Sequence, residues 1–195
     1  MPLHNLMHAF RIQPQKIETI KVARQSTKWK PHIKIQIAKD KNNMIKEMHE
    51  DNSDVKVFMD RSGMKGKIGA ATVLYGQGRL KSQIQYKLGV QSQHMVYEGE
   101  GISTVLGAKL ISNEWGIRSA TFCIDSQAAI KAIQLTKPKP GHYIFDMLHK
   151  SLEGVRNQHP GIRITVRLTP GHEGIEGNKR VDEEAKREIT EGSSN

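Results

Sequence analysis

Four acidic residues stand where carboxylates can meet. Asp60 closes the run 55–60 (Val-Lys-Val-Phe-Met-Asp) and is followed by Arg61, Ser62 and Gly63. Asp125 closes the run 120–125 (Ala-Thr-Phe-Cys-Ile-Asp) and leads into Ser126 and Gln127. Both runs are short and rich in β-branched and aromatic residues, so both read as strands. Glu100 lies in Val96-Tyr-Glu-Gly-Glu100, which opens a stretch with helical spacing of apolar residues, and Asp182 follows a Gly-His loop that leads into a last helix. Two carboxylates at strand ends and two on helices can converge on one point, and such an all-oxygen cluster suits a hard divalent cation such as Mg²⁺. Two such ions about 3.5–4 Å apart support in-line phosphodiester hydrolysis. Each phrase alone is weak, because an Asp at the end of a strand usually caps a helix or starts a turn.

The elements that must position these residues follow from periodicity. After the strand ending at Asp60 comes a Gly-containing turn at 62–67, a second strand at 68–75, a hairpin signal in Gly76-Gln77-Gly78 and a strictly alternating third strand at 79–88 with one wet face. Val96, Ile102, Val105, Leu106, Leu110 and Ile111 then mark one side of a helix over about 95–114, which Gly116 stops. A fourth, mostly apolar strand at 119–124 reads as central. Helices at about 126–135 and 142–157 flank a Lys-Pro-Lys-Pro-Gly linker at 137–141. A fifth strand at 162–168 precedes the loop 169–174 and a helix from near 176 that carries Asp182. The order βββαβααβα predicts an α/β fold. Its five-stranded mixed sheet has the first three strands antiparallel and helices on both faces.

In this order the phrases resemble the ribonuclease H domain, and in particular the domain at the C-terminal end of reverse transcriptases from fungal retrotransposons. The resemblance covers roughly residues 55–189. It implies a ribonuclease H-like fold and cleavage of the RNA strand of an RNA–DNA hybrid. Two Mg²⁺ ions, with Mn²⁺ as a substitute, would be held by Asp60, Glu100, Asp125 and Asp182, leaving 5′-phosphate and 3′-hydroxyl ends. His172 matches the family's mobile histidine, a proton shuttle or an aid to product release. Ser62, Gly63 and Gln127 are the candidates for reading the 2′-hydroxyl that distinguishes RNA from DNA. The partner implied besides the hybrid is a covalently linked polymerase domain; the oligomeric state stays open.

The sequence departs from the family pattern at Arg61, where the family has Gly after the first Asp. Arg61 is placed to pair with a catalytic carboxylate and compete with metal. Gly99 and Gly101 flank Glu100 and weaken the first helical turn, each by roughly 1 kcal/mol relative to Ala. Glu98 is a rival to Glu100, about 200° away around a helix. These departures keep a second reading in play, a catalytically weakened nucleic-acid-binding domain that retains the fold.

Composition bounds the rest. The chain has 195 residues and a net charge of +10, which suggests a polyanionic partner. Residues 1–50 carry ten Lys/Arg against four Asp/Glu, a net of +6. They read as a basic, partly extended connector over 1–53, before a ribonuclease H domain at 54–191 and a disordered tail at 192–195. Trp29 to Ile37 alternates like an extended arm, and 40–50 reads as a weak helix or disorder. The single cysteine, Cys123, excludes an intramolecular disulfide and reads as a buried small residue. No apolar run is long enough to span a membrane, and the expected location is intracellular, nuclear or cytoplasmic.

Overall fold

The computed structural model describes residues 3–13, 15, 29, 31–64, 67–90, 92, 96–135, 137, 139–171, 177 and 179–184. Along the chain these form α1 (Leu3–Ala9), β1 (Lys34–Gln36), α2 (Lys41–His49), β2 (Val55–Met64), β3 (Lys67–Gly76) and β4 (Arg79–Val90). There follow α3 (Val96–Ser112), β5 (Ser119–Ile124), α4 (Gln127–Gln134), α5 (Tyr143–Gln158) and β6 (Arg163–Leu168). Residues 177 and 179–184 are helical and belong to the expected last helix.

The strands make one mixed sheet in the order β1-β6-β5-β2-β3-β4. β2, β3 and β4 are antiparallel neighbours, while β5 runs parallel to β2, β6 to β5 and β1 to β6. The β3–β4 hairpin turns through Gln77 and Gly78, both with positive φ (53° and 75°), the backbone that a tight two-residue hairpin demands. β2 does not end at Asp60 as the sequence suggested. It continues to Met64, because its ladder with β3 stays paired through Ser62↔Gly69 and Gly63↔Ile68.

The sheet has six strands rather than five. The sixth, β1, comes from the segment read as an arm, whose alternation of apolar and polar residues is that of an edge strand. The polar stretch behind it forms α2, started by Asp40, whose carboxylate accepts the Asn43 backbone N–H at 2.9 Å. Arg167 on β6 ties this segment down. Its buried guanidinium reaches Gln36 Oε1 at 2.7 Å, Glu47 Oε2 at 3.1 Å and Asp51 Oδ2 at 3.7 Å.

Two apolar layers cover the sheet, and strand alternation sorts residues between them. Val55, Val57, Met59, Phe122, Ile124 and Val166 face the main core, with α3, α4 and α5 packed over them. Phe58, Ala71, Val73 and Cys123 face the other side, under Met48 of α2 and Val181 of the last helix. The thiol of Cys123 is fully buried, and burial pushes its pKa up to about 12. It is a packed small residue, as its apolar neighbours suggested.

Candidate active site

β2 and β5 are parallel neighbours at the centre of the sheet, and their last register pair is Met59↔Ile124. The next residue on each is Asp60 and Asp125. Adjacent strands lie about 4.8 Å apart, so the two Asp backbones are side by side where the strands begin to part. By alternation both belong to the Phe58 and Cys123 face, the face that the last helix covers. Asp60 is half-buried and Asp125 exposed. Asp60 Oδ1 accepts the Arg61 backbone N–H at 2.7 Å.

Glu100 reaches this point from the opposite face. α3 lies close on the sheet because its first turns lack side-chain bulk. A Cβ on Gly99 would sit 3.2 Å from Arg61 Cβ and 3.1 Å from Ile68 Cγ2. A Cβ on Gly101 would sit 2.8 Å from Ile144 Cγ2 of α5. The glycines that weaken the helix locally are thus the residues that let it approach. Thr72 Oγ1 of β3 donates to the Ser103 carbonyl at 2.8 Å and fixes the helix along the strands. The Glu100 carboxylate is then bracketed. Oε1 faces Arg61 Nε at 3.4 Å, and Oε2 accepts the Ser126 hydroxyl at 2.5 Å. Glu100 therefore bridges the residue after Asp60 and the residue after Asp125.

Ser126 was not among the candidates read from sequence. Its oxygen also accepts the Ala129 backbone N–H at 3.2 Å, which makes it the N-cap of α4. The signal was present as a Ser directly before a helix; its second partner was not legible. Gln127 is the first residue of α4, exposed, and lines a cleft of about 540 Å³ with Asp125, Thr169, Gly171 and Lys41. Lys41, at the start of α2, enters the cleft from the segment read as a connector, so sequence reading had no reason to place it there. Ser62 and Gly63 lie within β2 and keep ladder pairing with β3.

The loop after β6 starts from the same end of the sheet. The Thr169 N–H donates to the Ile124 carbonyl at 2.8 Å, and a Cβ on Gly171 would meet Asp125 Oδ2 at 3.9 Å. His172 follows but lies outside the described residues. The last helix packs across the Asp60 face, with Gly177 pressed on the Phe58 ring and Val181 beside Phe58 and Cys123. Its Glu184 pairs with Arg180 at 2.7 Å and accepts a hydrogen bond from Gln85 of β4. Asp182 is half-buried on this helix.

An all-carboxylate donor set at one sheet end has the chemistry of a hard-cation site. The carboxylates are not drawn together: among the described residues, no three His, Cys, Asp or Glu side chains are close enough to hold one metal ion. Glu100 is instead held by Arg61 and Ser126.

Solved structures share this arrangement at the level of the overall fold. The N-terminal RNase H domain of a Mycobacterium tuberculosis protein, solved as a maltose-binding-protein fusion, superimposes with a TM-score of 0.54 at 14% identity, over 68% of this chain and 96% of that one. The RNase H domain of PFV superimposes with a TM-score of 0.55 at 15% identity, over 71% and 96%. The fold is that of ribonuclease H. The native prototype foamy virus protease–reverse transcriptase also matches, with a TM-score of 0.56 at 16% identity, over 74% of this chain but 21% of that much longer one. No protein-family model matches the sequence, and no curated protein matches it.

Proposed function

We propose that this chain is a metal-dependent ribonuclease H that hydrolyses the RNA strand of RNA–DNA hybrids. The observation that carries the proposal is the juxtaposition of Asp60 and Asp125 on the central parallel strands, with Glu100 of α3 contacting the residue after each, Arg61 and Ser126. Asp60, Glu100, Asp125 and Asp182 would hold two Mg²⁺ or Mn²⁺ ions, which when bound supply Lewis acidity and charge neutralisation to in-line phosphodiester hydrolysis. The products are a 5′-phosphate and a 3′-hydroxyl.

The chain's own residues divide the remaining work. Ser126 orients the Glu100 carboxylate through its 2.5 Å hydrogen bond. Gln127, exposed on the first turn of α4, offers an amide that both donates and accepts to a ribose 2′-hydroxyl in the minor groove. Ser62 and Gly63 would contact the hybrid from β2, just past Asp60. His172 moves a proton at the leaving or attacking oxygen, or helps product depart. Lys41 adds a positive charge to the cleft beside Asp125 and suits a backbone phosphate.

The motif phrases and the match to a viral protease–reverse transcriptase support a finer reading: this chain works as part of a retrotransposon reverse transcriptase, joined to a polymerase domain, inside the cell. Among the described residues no helix is long and apolar enough to cross a membrane.

A second reading is favoured by one observation, the Arg61–Glu100 pair. If that pair persists on substrate, the chain binds hybrid and cleaves it weakly. Incubating the chain with end-labelled RNA–DNA hybrid, with and without Mg²⁺, and with RNA duplex and DNA duplex beside it, separates the readings. Mg²⁺-dependent cutting confined to the RNA of the hybrid supports the nuclease. Retention of hybrid on a native gel without cutting supports the weakened domain.

A further inference from the structure

We propose that Arg61 is a built-in cation for Glu100, one that a divalent ion must displace before Glu100 can join Asp60 and Asp125 in holding it. This rests on the metal-dependent reading above and concerns how the site is regulated.

Arg61 is paired with Ala70 in the β2–β3 ladder, so its backbone is fixed. By alternation its side chain leaves the sheet on the Met59 face, under the first turns of α3. There Gly99 leaves the room it needs, since a Cβ at that position would crowd Arg61 Cβ at 3.2 Å. The guanidinium Nε lies 3.4 Å from Glu100 Oε1, and the Glu100 side chain is only 16% exposed against 38% for Arg61. The other Glu100 oxygen is already committed to Ser126. Each Glu100 oxygen thus already has a partner, Arg61 on one and Ser126 on the other.

A guanidinium satisfies the charge of a carboxylate much as a cation does, but it is tethered and always protonated. Its pairing with Glu100 balances the charge of that carboxylate. It also opposes metal, because an ion that recruits Glu100 must break the pair and sit near a positive charge. A unit charge ~6 Å from a doubly charged ion in a water-like dielectric weakens binding on the order of tenfold. Arg61 is part-exposed, so it has solvent to swing into when displaced.

The test is a calorimetric titration of Mn²⁺ into the full chain without nucleic acid, for wild type, Arg61→Gln and the charge-retaining Arg61→Lys. Arg61→Gln is expected to bind Mn²⁺ about tenfold tighter than wild type, with Arg61→Lys staying near wild type. Equal or weaker binding by Arg61→Gln at an unchanged melting temperature overturns the inference. A second measurement uses the wild-type chain alone: the ¹⁵N–¹H signal of Arg61 Nε is followed as Mg²⁺ is added. Release from Glu100 moves it in step with occupancy, whereas an unmoved signal at saturating Mg²⁺ overturns the inference. If neither wild type nor variant binds a divalent ion at millimolar concentration, the metal-dependent reading falls and this inference with it. If both bind alike and the Arg61 signal stays put, only this inference falls.

Discussion

Gly101 offers a test in which two known effects oppose each other. It sits in α3 next to Glu100, where replacing Gly by Ala in a helix ordinarily gains about 1 kcal/mol. Here an added Cβ would stand 2.8 Å from Ile144 Cγ2, 3.4 Å from Ile144 Cβ and 3.5 Å from Phe145 Cζ. Ile144 and Phe145 are fully buried, and Ile144 is branched at Cβ, so neither can rotate away cheaply. Overpacking of this kind costs roughly 1–3 kcal/mol. The clash should win, leaving Gly101→Ala less stable than wild type by about 1 kcal/mol net. Gly154→Ala in α5 is the matched control, because an added Cβ there meets nothing within 4 Å and only the propensity gain of about 1 kcal/mol remains. Urea unfolding followed by far-UV circular dichroism measures both. Stabilisation of Gly101→Ala to the same extent as Gly154→Ala would refute the claim that glycine at the start of α3 is there to let helix and neighbours approach.

Arg167→Ala removes the nearest cation of the buried Asp51 carboxylate, leaving it Lys56, and unties β1 and α2 from β6. Breaking a buried pair costs roughly 3–5 kcal/mol; Glu47 is 36% exposed on its side chain, so a loss near the lower end is expected. Limited proteolysis should show early cutting before residue 54, and an unchanged cleavage pattern would contradict the docking. Cys123 should resist iodoacetamide at pH 8 in the folded chain, since the thiol is buried and its pKa is pushed up to about 12, and should react at once in urea. Fast labelling of the native chain would place Cys123 outside the core.

The part of the fold that rests on alternation and helical spacing was legible in the sequence. β3, β4, β5 and β6 and the helices α3 and α5 lie where period-two and period-three-to-four patterns place them. Ends were less legible. The extension of β2 past Asp60 depends on pairing with β3, a partner 11 residues further on at that point, and no local residue announces it. β1 was visible as alternation, but three residues at an edge acquire a sheet only through Arg167 and β6. The strand runs that carry Asp60 and lead to Asp125 were legible because the phrases that contain them are local. The Ser126–Glu100 hydrogen bond and the place of Lys41 were not, since each joins residues far apart in the chain. Gly99 and Gly101 were read as weaknesses of a helix, whereas their effect lies in the contacts they permit.

The central claim is that the carboxylates of Asp60 on β2 and Asp125 just past β5 belong to a metal-dependent nuclease. The most direct measurement is RNA-strand cleavage of an RNA–DNA hybrid in Mg²⁺ by wild type and by Asp125→Asn. That change removes one negative charge at nearly constant volume from an exposed side chain, so melting temperature and far-UV spectrum should not move. The account predicts Mg²⁺-dependent cutting by wild type and loss of cutting in Asp125→Asn. Cutting at the wild-type rate by a folded Asp125→Asn chain would contradict it.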